Sequence, residues 1–172
     1  MIKTRRSVRR FLKKPIPDDV LDRVLEAAWI APSGGDRQPW RFVVVKDEEK
    51  KEKIARACYE QGFVAEAPVV LVCCAVKCSS GYEPWRDEAG RRDAVIATDH
   101  LILAARNEGL GTCWVGAVHD KQVKKIVKVP DAVDVVMVVP LGYPASKTGF
   151  REAKGRKPLK EMCFFEEYGC GE

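Results

Sequence analysis

Three runs of β-branched and small apolar residues, 40–45, 69–76 and 133–141, constrain this chain more than any other feature of it. Each is short and bounded by polar or turn-forming residues: Lys46 and Asp47 close the first, Pro68 introduces the second, and Tyr143 and Pro144 follow the third. Runs of that length and composition read as buried strands. The segments between them carry helical spacing. Over 17–31 the residues Val20, Leu21, Val24, Leu25, Ala28 and Trp29 share one face, Asp18 and Asp19 sit where the helix dipole favours acids, and Pro32 stops the run. Ile54, Ala55 and Cys58 give residues 47–59 the same period.

Residues 77–90 read as a polar loop. Residues 91–108 predict the longest helix, with a wide apolar face of Ala94, Val95, Ala97, Thr98, Leu101, Ile102, Ala104 and Ala105, ended by Gly109. A short apolar stretch over 112–118 comes next, and Asp120 is placed to cap a helix running to Val127. Alternating helices and strands ordinarily build a parallel, doubly wound sheet. Periodicity locates elements without orienting them, so either strand direction fits the connections.

The 172 residues, 46% of them hydrophobic, supply one buried core, and a single domain over 1–172 is expected. A formal charge of +5 is too small an excess to define a nucleic-acid binder. Its placement matters more: Lys3, Arg5, Arg6, Arg9, Arg10, Lys13 and Lys14 crowd the N-terminus with no acid among them. Val8, Phe11 and Leu12 interrupt these charges, which is not the continuous apolar stretch of a secretory signal, and no window approaches the ~20 apolar residues that span a bilayer. A soluble cytoplasmic protein with no membrane or nucleic-acid partner is therefore expected.

Seven cysteines are an odd number, mostly inside apolar runs and without a Cys-x-x-Cys pair, so buried reduced thiols are expected. Cys73, Cys74 and Cys78 could in principle ligate a metal, but adjacent strand residues face opposite ways, and no metal is expected.

Three segments carry the candidate chemistry. Arg5, Arg6 and Ser7 offer guanidinium forks and a hydroxyl to a phosphate, although a solvated basic face would look the same. Pro32, Ser33, Gly34, Gly35, Asp36, Arg37, Gln38, Pro39 and Trp40 form a helix-to-strand turn whose glycines permit close approach of backbone N–H groups to a flat or anionic ligand, or serve only the turn. The run Gly109, Leu110, Gly111, Thr112, Cys113, Trp114, Val115, Gly116 follows a helix, whereas a dinucleotide fingerprint follows a strand, so it is no Rossmann signature. There is no phosphate-loop, zinc-helix or nucleophile-elbow motif, and His100 and His119, the only histidines, read as structural.

In this order and spacing the three segments, with Lys154, Gly155, Arg156, Lys157, Pro158 and Leu159 near the C-terminus, resemble the flavin mononucleotide (FMN) dependent nitroreductase family. The resemblance covers nearly the whole chain, which is short for the family between Val76 and Arg91. It implies an α+β fold, a three-layer α/β/α sandwich with a largely antiparallel central sheet, and an intertwined homodimer. It implies two equivalent FMN sites at the interface, each taking Arg5, Arg6, Ser7, Lys154 and Arg156 from one subunit and Pro32, Ser33, Gly34 and Asp36 from the other. Cys113, Trp114, Val115 and Gly116 would line the flavin ring. No side chain need act as acid or base, because flavin N5 accepts and returns the hydride.

The implied activity is a two-stage transfer from NAD(P)H, the transient reductant, through FMN to an electron-poor small molecule such as a nitroaromatic or quinone. Relatives of the same fold also include reductive dehalogenases and flavin-modifying enzymes, and an FMN-binding module without turnover is the reading of another class. The C-terminal segment, about 145–172, is basic and loop-like before an apolar tail of Leu159, Met162, Cys163, Phe164, Phe165 and Tyr168, and is expected to pack on the partner subunit. Asp36 departs from the asparagine of many relatives; a carboxylate beside the flavin would disfavour added negative charge on the ring.

Overall fold

The computed structural model describes residues 2–77, 86–146 and 150–169. Its elements are α1 (Asp18–Trp29), β1 (Trp40–Val45), α2 (Glu48–Ala57), α3 (Phe63–Glu66), β2 (Val69–Val76), α4 (Arg86–Asn107), β3 (Gly111–Thr112), α5 (Asp120–Val127) and β4 (Val133–Gly142). The strands form one sheet in the order β1-β2-β4-β3, and every ladder is antiparallel. The parallel sheet that alternation alone favours is thus excluded, and the α+β architecture with an antiparallel sheet stands.

β2 organises the molecule. Val69, Leu71, Cys73 and Ala75 point into one apolar layer with Leu21, Val24 and Ala28 of α1 and Ala97, Leu101 and Ala105 of α4. Val70, Val72 and Cys74 point into the other, with Ile54 and Cys58, Val64 of α3 and Val123 of α5. Every residue from Val69 to Ala75 is buried, which is why this strand is continuously apolar. β4 follows the same rule with one irregularity. Cys73 pairs with Met137 and Cys74 with Val135, so Val136 is the extra residue of a bulge. The bulge shifts the parity of the strand, putting Val135 in the α2–α5 layer and Met137 in the α1–α4 layer.

Local chemistry fixes several ends. The Asp47 carboxylate accepts from the Lys50 N–H at 2.9 Å and caps α2. Buried Lys51 then ties α2 to the end of α3, donating to Glu48 Oε1 and to the Ala67 carbonyl, each at 2.8 Å. Gly109 follows α4 with φ of +74°, in the left-handed region that lets the chain reverse.

Some expectations shift. α4 starts at Arg86 rather than Arg91, taking in residues assigned to the polar loop: residues 86–90 carry no apolar period that marks a helix, and the i,i+4 pair Arg92–Glu88 ties this turn to the next. Val95, expected on the apolar face of that helix, is 38% exposed beside Ile96. Asp120 is the first helical residue of α5 and His119 the cap position, while the apolar stretch 112–118 contributes only the end of two-residue β3 and an isolated bridge from Val115 to Val138. α3 has no counterpart in the sequence pattern. Cys73 and Cys74 face opposite layers as expected; Cys78 lies outside the described residues.

At the β3 edge the N-terminal segment is laid onto the sheet. Ser7 bridges Thr112 in parallel, and the Val8 N–H donates to the Thr112 carbonyl at 2.8 Å. This contact requires glycine at 111, since a Cβ there would stand 2.6 Å from Val8 Cγ2 and 2.8 Å from Val8 Cβ. Gly111→Ala is expected to lower stability by about 1–3 kcal/mol, the usual cost of overpacking, measured by urea denaturation. An unchanged midpoint would show that the Val8 contact is not tight.

Burial pushes the Cys73 thiol up to about 12 and the Cys74 thiol up to about 11, from an ordinary value of 9.0. Folding holds both protonated, so their contribution is whole below pH 9 and disappears as pH rises through the folded values. The thermal midpoint of the native protein is expected to fall more steeply above pH 9 than that of a Cys73→Ala, Cys74→Ala variant, read by circular dichroism. Parallel pH profiles would contradict this.

Candidate functional site

The N-terminal segment runs from β3 across to the end of β4. Beyond the Val8–Thr112 bond, the Leu12 N–H donates to the Tyr143 carbonyl at 2.9 Å, Phe11 bridges Pro144, and the Ala145 N–H returns to the Arg10 carbonyl at 2.9 Å. Val8 and Phe11 are anchored inward in a small cluster with Ala67, against which Phe63 and Phe150 pack. Arg9 and Arg10 consequently face solvent. The spacing of apolar and basic residues thus becomes a pinned strip with cations on its open side.

Opposite this strip lies the segment after β4, and between them opens a cleft of about 620 Å³. Arg5, Arg6, Ser7, Arg9 and Arg10 line one side, and Ser146, Arg151, Lys154 and Arg156 the other. Among the described residues no carboxylate lines it. Converging cations without a neutralising acid raise the local potential and favour a multiply charged anion. Arginine forks match phosphate oxygens in particular.

Five of the predicted residues, Arg5, Arg6, Ser7, Lys154 and Arg156, therefore meet in one cleft. Arg6 lines the cleft and also makes a tie of its own: its Nε donates to the Arg151 carbonyl at 3.0 Å, and a terminal nitrogen donates to the Glu152 carbonyl. It fastens the C-terminal segment to the N-terminal one. Arg9, Arg10 and Arg151 extend the cationic lining beyond the predicted set. Arg9 and Arg10 belong to the basic N-terminal run, and Arg151 to the basic segment that follows 145, where no motif singles it out.

The run 113–116 divides. Cys113 and Val115 are buried, and Val115 exchanges both backbone hydrogen bonds with Val138 at 3.0 Å, so its N–H is not free to face a ligand. Trp114 and Gly116 are exposed. Burial holds the Cys113 thiol above its ordinary range, against the opposing effects of Arg9, a hydrogen bond from Ser7, and Arg5. A protonated, buried thiol supplies no nucleophile at neutral pH. The contact with Ser7 joins this run to the cationic cleft.

The turn at 32–38 stands apart, and none of Pro32, Ser33, Gly34 and Asp36 lines the cleft. Its backbone is unusual: Gly35, Asp36 and Gln38 have φ of +60°, +51° and +48°. For the two non-glycine residues that conformation needs local support. Ser33 Oγ accepts from the Gln38 N–H at 3.0 Å, and Asp36 Oδ1 accepts from Gln38 Nε2 at 2.8 Å. Asp93, a buried carboxylate of α4, accepts from the Gly34 N–H at 3.2 Å. Asp93 was not foreseen; its only mark in the sequence is an acid beside the apolar helix face. Among the described residues no group of three or more His, Cys, Asp or Glu could hold a metal ion, and no helix is long and apolar enough to cross a membrane.

Comparison with known proteins gives the same scaffold. A Methanothermobacter thermautotrophicus protein named as an NADH dehydrogenase/NAD(P)H nitroreductase is 35% identical over 159 residues, covering 88% of this chain and 79% of its own. A Thermotoga neapolitana iodotyrosine deiodinase is 30% identical, with 84% of this chain and 87% of the relative covered. The solved NADPH:FMN oxidoreductase from Vibrio harveyi complexed with NAD+ superposes with a TM-score of 0.87 at 26% identity, over 97% of this chain and 76% of that one. The sequence model of the Nitroreductase family matches residues 2–80 and 58–143, which take in the basic N-terminal strip, the glycine turn and all four strands; the chain belongs to that family.

Proposed function

We propose that the protein is an FMN-dependent oxidoreductase that draws hydride from NAD(P)H and passes electrons to a small electron-poor acceptor such as a nitroaromatic or quinone, working as a homodimer. The observation that carries this reading is the acid-free cationic cleft built from both ends of the chain. A flavin phosphate carries two negative charges near neutral pH, and Arg5, Arg6, Ser7, Lys154 and Arg156 are the donor types that hold such a group. Relatives named for NAD(P)H nitroreductase and NADPH:FMN oxidoreductase activity support the donor and the flavin.

Bound FMN would supply the hydride-accepting and hydride-returning centre. The chain's own residues supply binding and orientation. In this reading the cationic cleft fixes the phosphate end, Trp114 and Gly116 border the ring, and Pro32, Ser33, Gly34 and Asp36 of a second protomer complete the wall. That last assignment accords with the separation of the turn from the cleft within one chain. Exposed apolar residues fit a dimer as well: Trp29 and Ile30 at the end of α1, Val95 and Ile96 on α4, and Leu159, Met162, Phe165 and Tyr168 on the C-terminal segment. Phe165 is 81% exposed and Tyr168 92%, and this apolar tail is assigned to the partner's surface.

Anaerobic mixing of FMN-loaded protein with NADH or NADPH is expected to bleach the oxidised flavin absorbance, and light scattering to report a dimer. Nitrofurazone or a quinone should then restore the colour. FMN that stays oxidised would leave a binding module without turnover, and recovery with iodotyrosine alone would favour the dehalogenase reading that the Thermotoga neapolitana relative raises.

Asp36 is the residue proposed to tune the flavin. A carboxylate held beside the ring disfavours further negative charge there, so Asp36→Asn is expected to raise the reduction potential. Equal potentials in spectroelectrochemical titration would remove Asp36 from the ring's surroundings.

A further inference from the structure

Arg106 belongs to none of the motifs, yet it touches both of the segments that form the cleft. It stands in the last turn of α4, half-buried. One terminal nitrogen donates to Thr4 Oγ1 at 3.0 Å, and the guanidinium carbon lies 3.9 Å from the centre of the Phe150 ring. Its Nε is buried and finds no hydrogen-bond partner among the described residues. A guanidinium cannot shed its proton, so holding it with one donor unsatisfied is unfavourable unless the other contacts retain it. Stacking over an aromatic face is such a contact, stronger where water is excluded.

The position of its partners gives these contacts their meaning. Thr4 immediately precedes Arg5, and Phe150 immediately precedes Arg151. A side chain on a long, packed helix therefore fixes the start of each cationic segment. Six arginines and one lysine line the cleft with no acid among them, so the two sides repel one another in the absence of an anion. Arg6 ties the sides directly, through the carbonyls of Arg151 and Glu152. Arg106 anchors both to the core.

We propose that Arg106 is a positioning residue for anion binding: through Thr4 and Phe150 it holds the N- and C-terminal cationic segments at the separation at which Arg5, Ser7, Lys154 and Arg156 close on one phosphate. The identity of that phosphate as FMN rests on the function proposed above; the clamp does not.

The test compares wild type with Arg106→Gln, Arg106→Lys and Phe150→Leu. Two readouts are independent of turnover: the FMN dissociation constant from flavin fluorescence, and the rate of limited trypsin cleavage after Arg151, Lys154 and Arg156, followed by mass spectrometry with and without inorganic phosphate. Arg106→Gln is expected to weaken FMN binding by about tenfold or more, the scale of losing well-placed charge-assisted contacts, with faster cleavage that phosphate no longer slows. Arg106→Lys keeps a cation over Phe150 but loses the fork, and should fall between. Phe150→Leu should reproduce the loss in milder form, and combining it with Arg106→Gln should add little, because both break one contact. Wild-type FMN affinity and wild-type phosphate protection in Arg106→Gln and Phe150→Leu would overturn the proposal, as would faster cleavage with FMN affinity unchanged. If wild type binds no FMN, the flavin reading fails, and phosphate protection in wild type against Arg106→Gln still decides the clamp.

Discussion

The structure depends on the complete enclosure of β2. Its two edges are paired with β1 and β4, and its two faces are covered by the α1–α4 and the α2–α3–α5 layers. A strand in that position has no exposed surface on which to slip. A shift of one residue would exchange all of its side chains between layers and leave buried backbone groups unpaired. The bulge at Val136 is the adjustment that lets β4 keep its ladder while serving both layers. With β2 and β4 fixed, the end of β4 and the short β3 beside it become a rigid shelf, and the N-terminal strip is hydrogen-bonded across that shelf.

The shelf explains how so many like charges can share one place. Attraction among seven cations cannot assemble them; the backbone bonds from Val8 to Thr112, Leu12 to Tyr143 and Ala145 to Arg10 place the N-terminal ones, with Val8 and Phe11 buried beneath, and the Arg6 bonds to the carbonyls of Arg151 and Glu152 bring the C-terminal ones alongside. The cleft is thereby arranged before any anion arrives, which lowers the ordering cost of binding. The glycine turn follows a comparable logic. Left-handed Asp36 and Gln38 are kept by hydrogen bonds within the turn, and the Asp93 carboxylate secures Gly34 to α4.

Elements whose burial is written into short stretches of residues were legible. The strands 40–45 and 69–76 coincide with β1 and β2, and the helical period of 17–31 and 120–127 with α1 and α5. The first turn of α4 was not, since its largely polar residues leave no apolar period to detect. β3 was overestimated because an apolar stretch shows that residues are buried, not that their backbone is paired. At the site, the gathering of Arg5, Ser7, Lys154 and Arg156 followed from motif resemblance. The tasks of Arg6 and Arg106 did not, because a guanidinium reads the same whether its neighbour is a phosphate, a carbonyl or a phenyl ring.

By itself the sequence determined the long strands and most of the helices, most of the residues they bury, and that basic residues accumulate at both ends of the chain. These are local properties, set by side-chain volume, polarity and spacing. Tertiary structure decided the parity shift at Val136 and the ties made by Arg6 and Arg106, and it realises the antiparallel sheet and the meeting of residues 5–10 with residues 151–156, which the family resemblance implied but no local property fixes. Those outcomes depend on contacts between residues far apart in the chain, and such contacts become defined only when the buried backbone must find all of its hydrogen-bond partners at once.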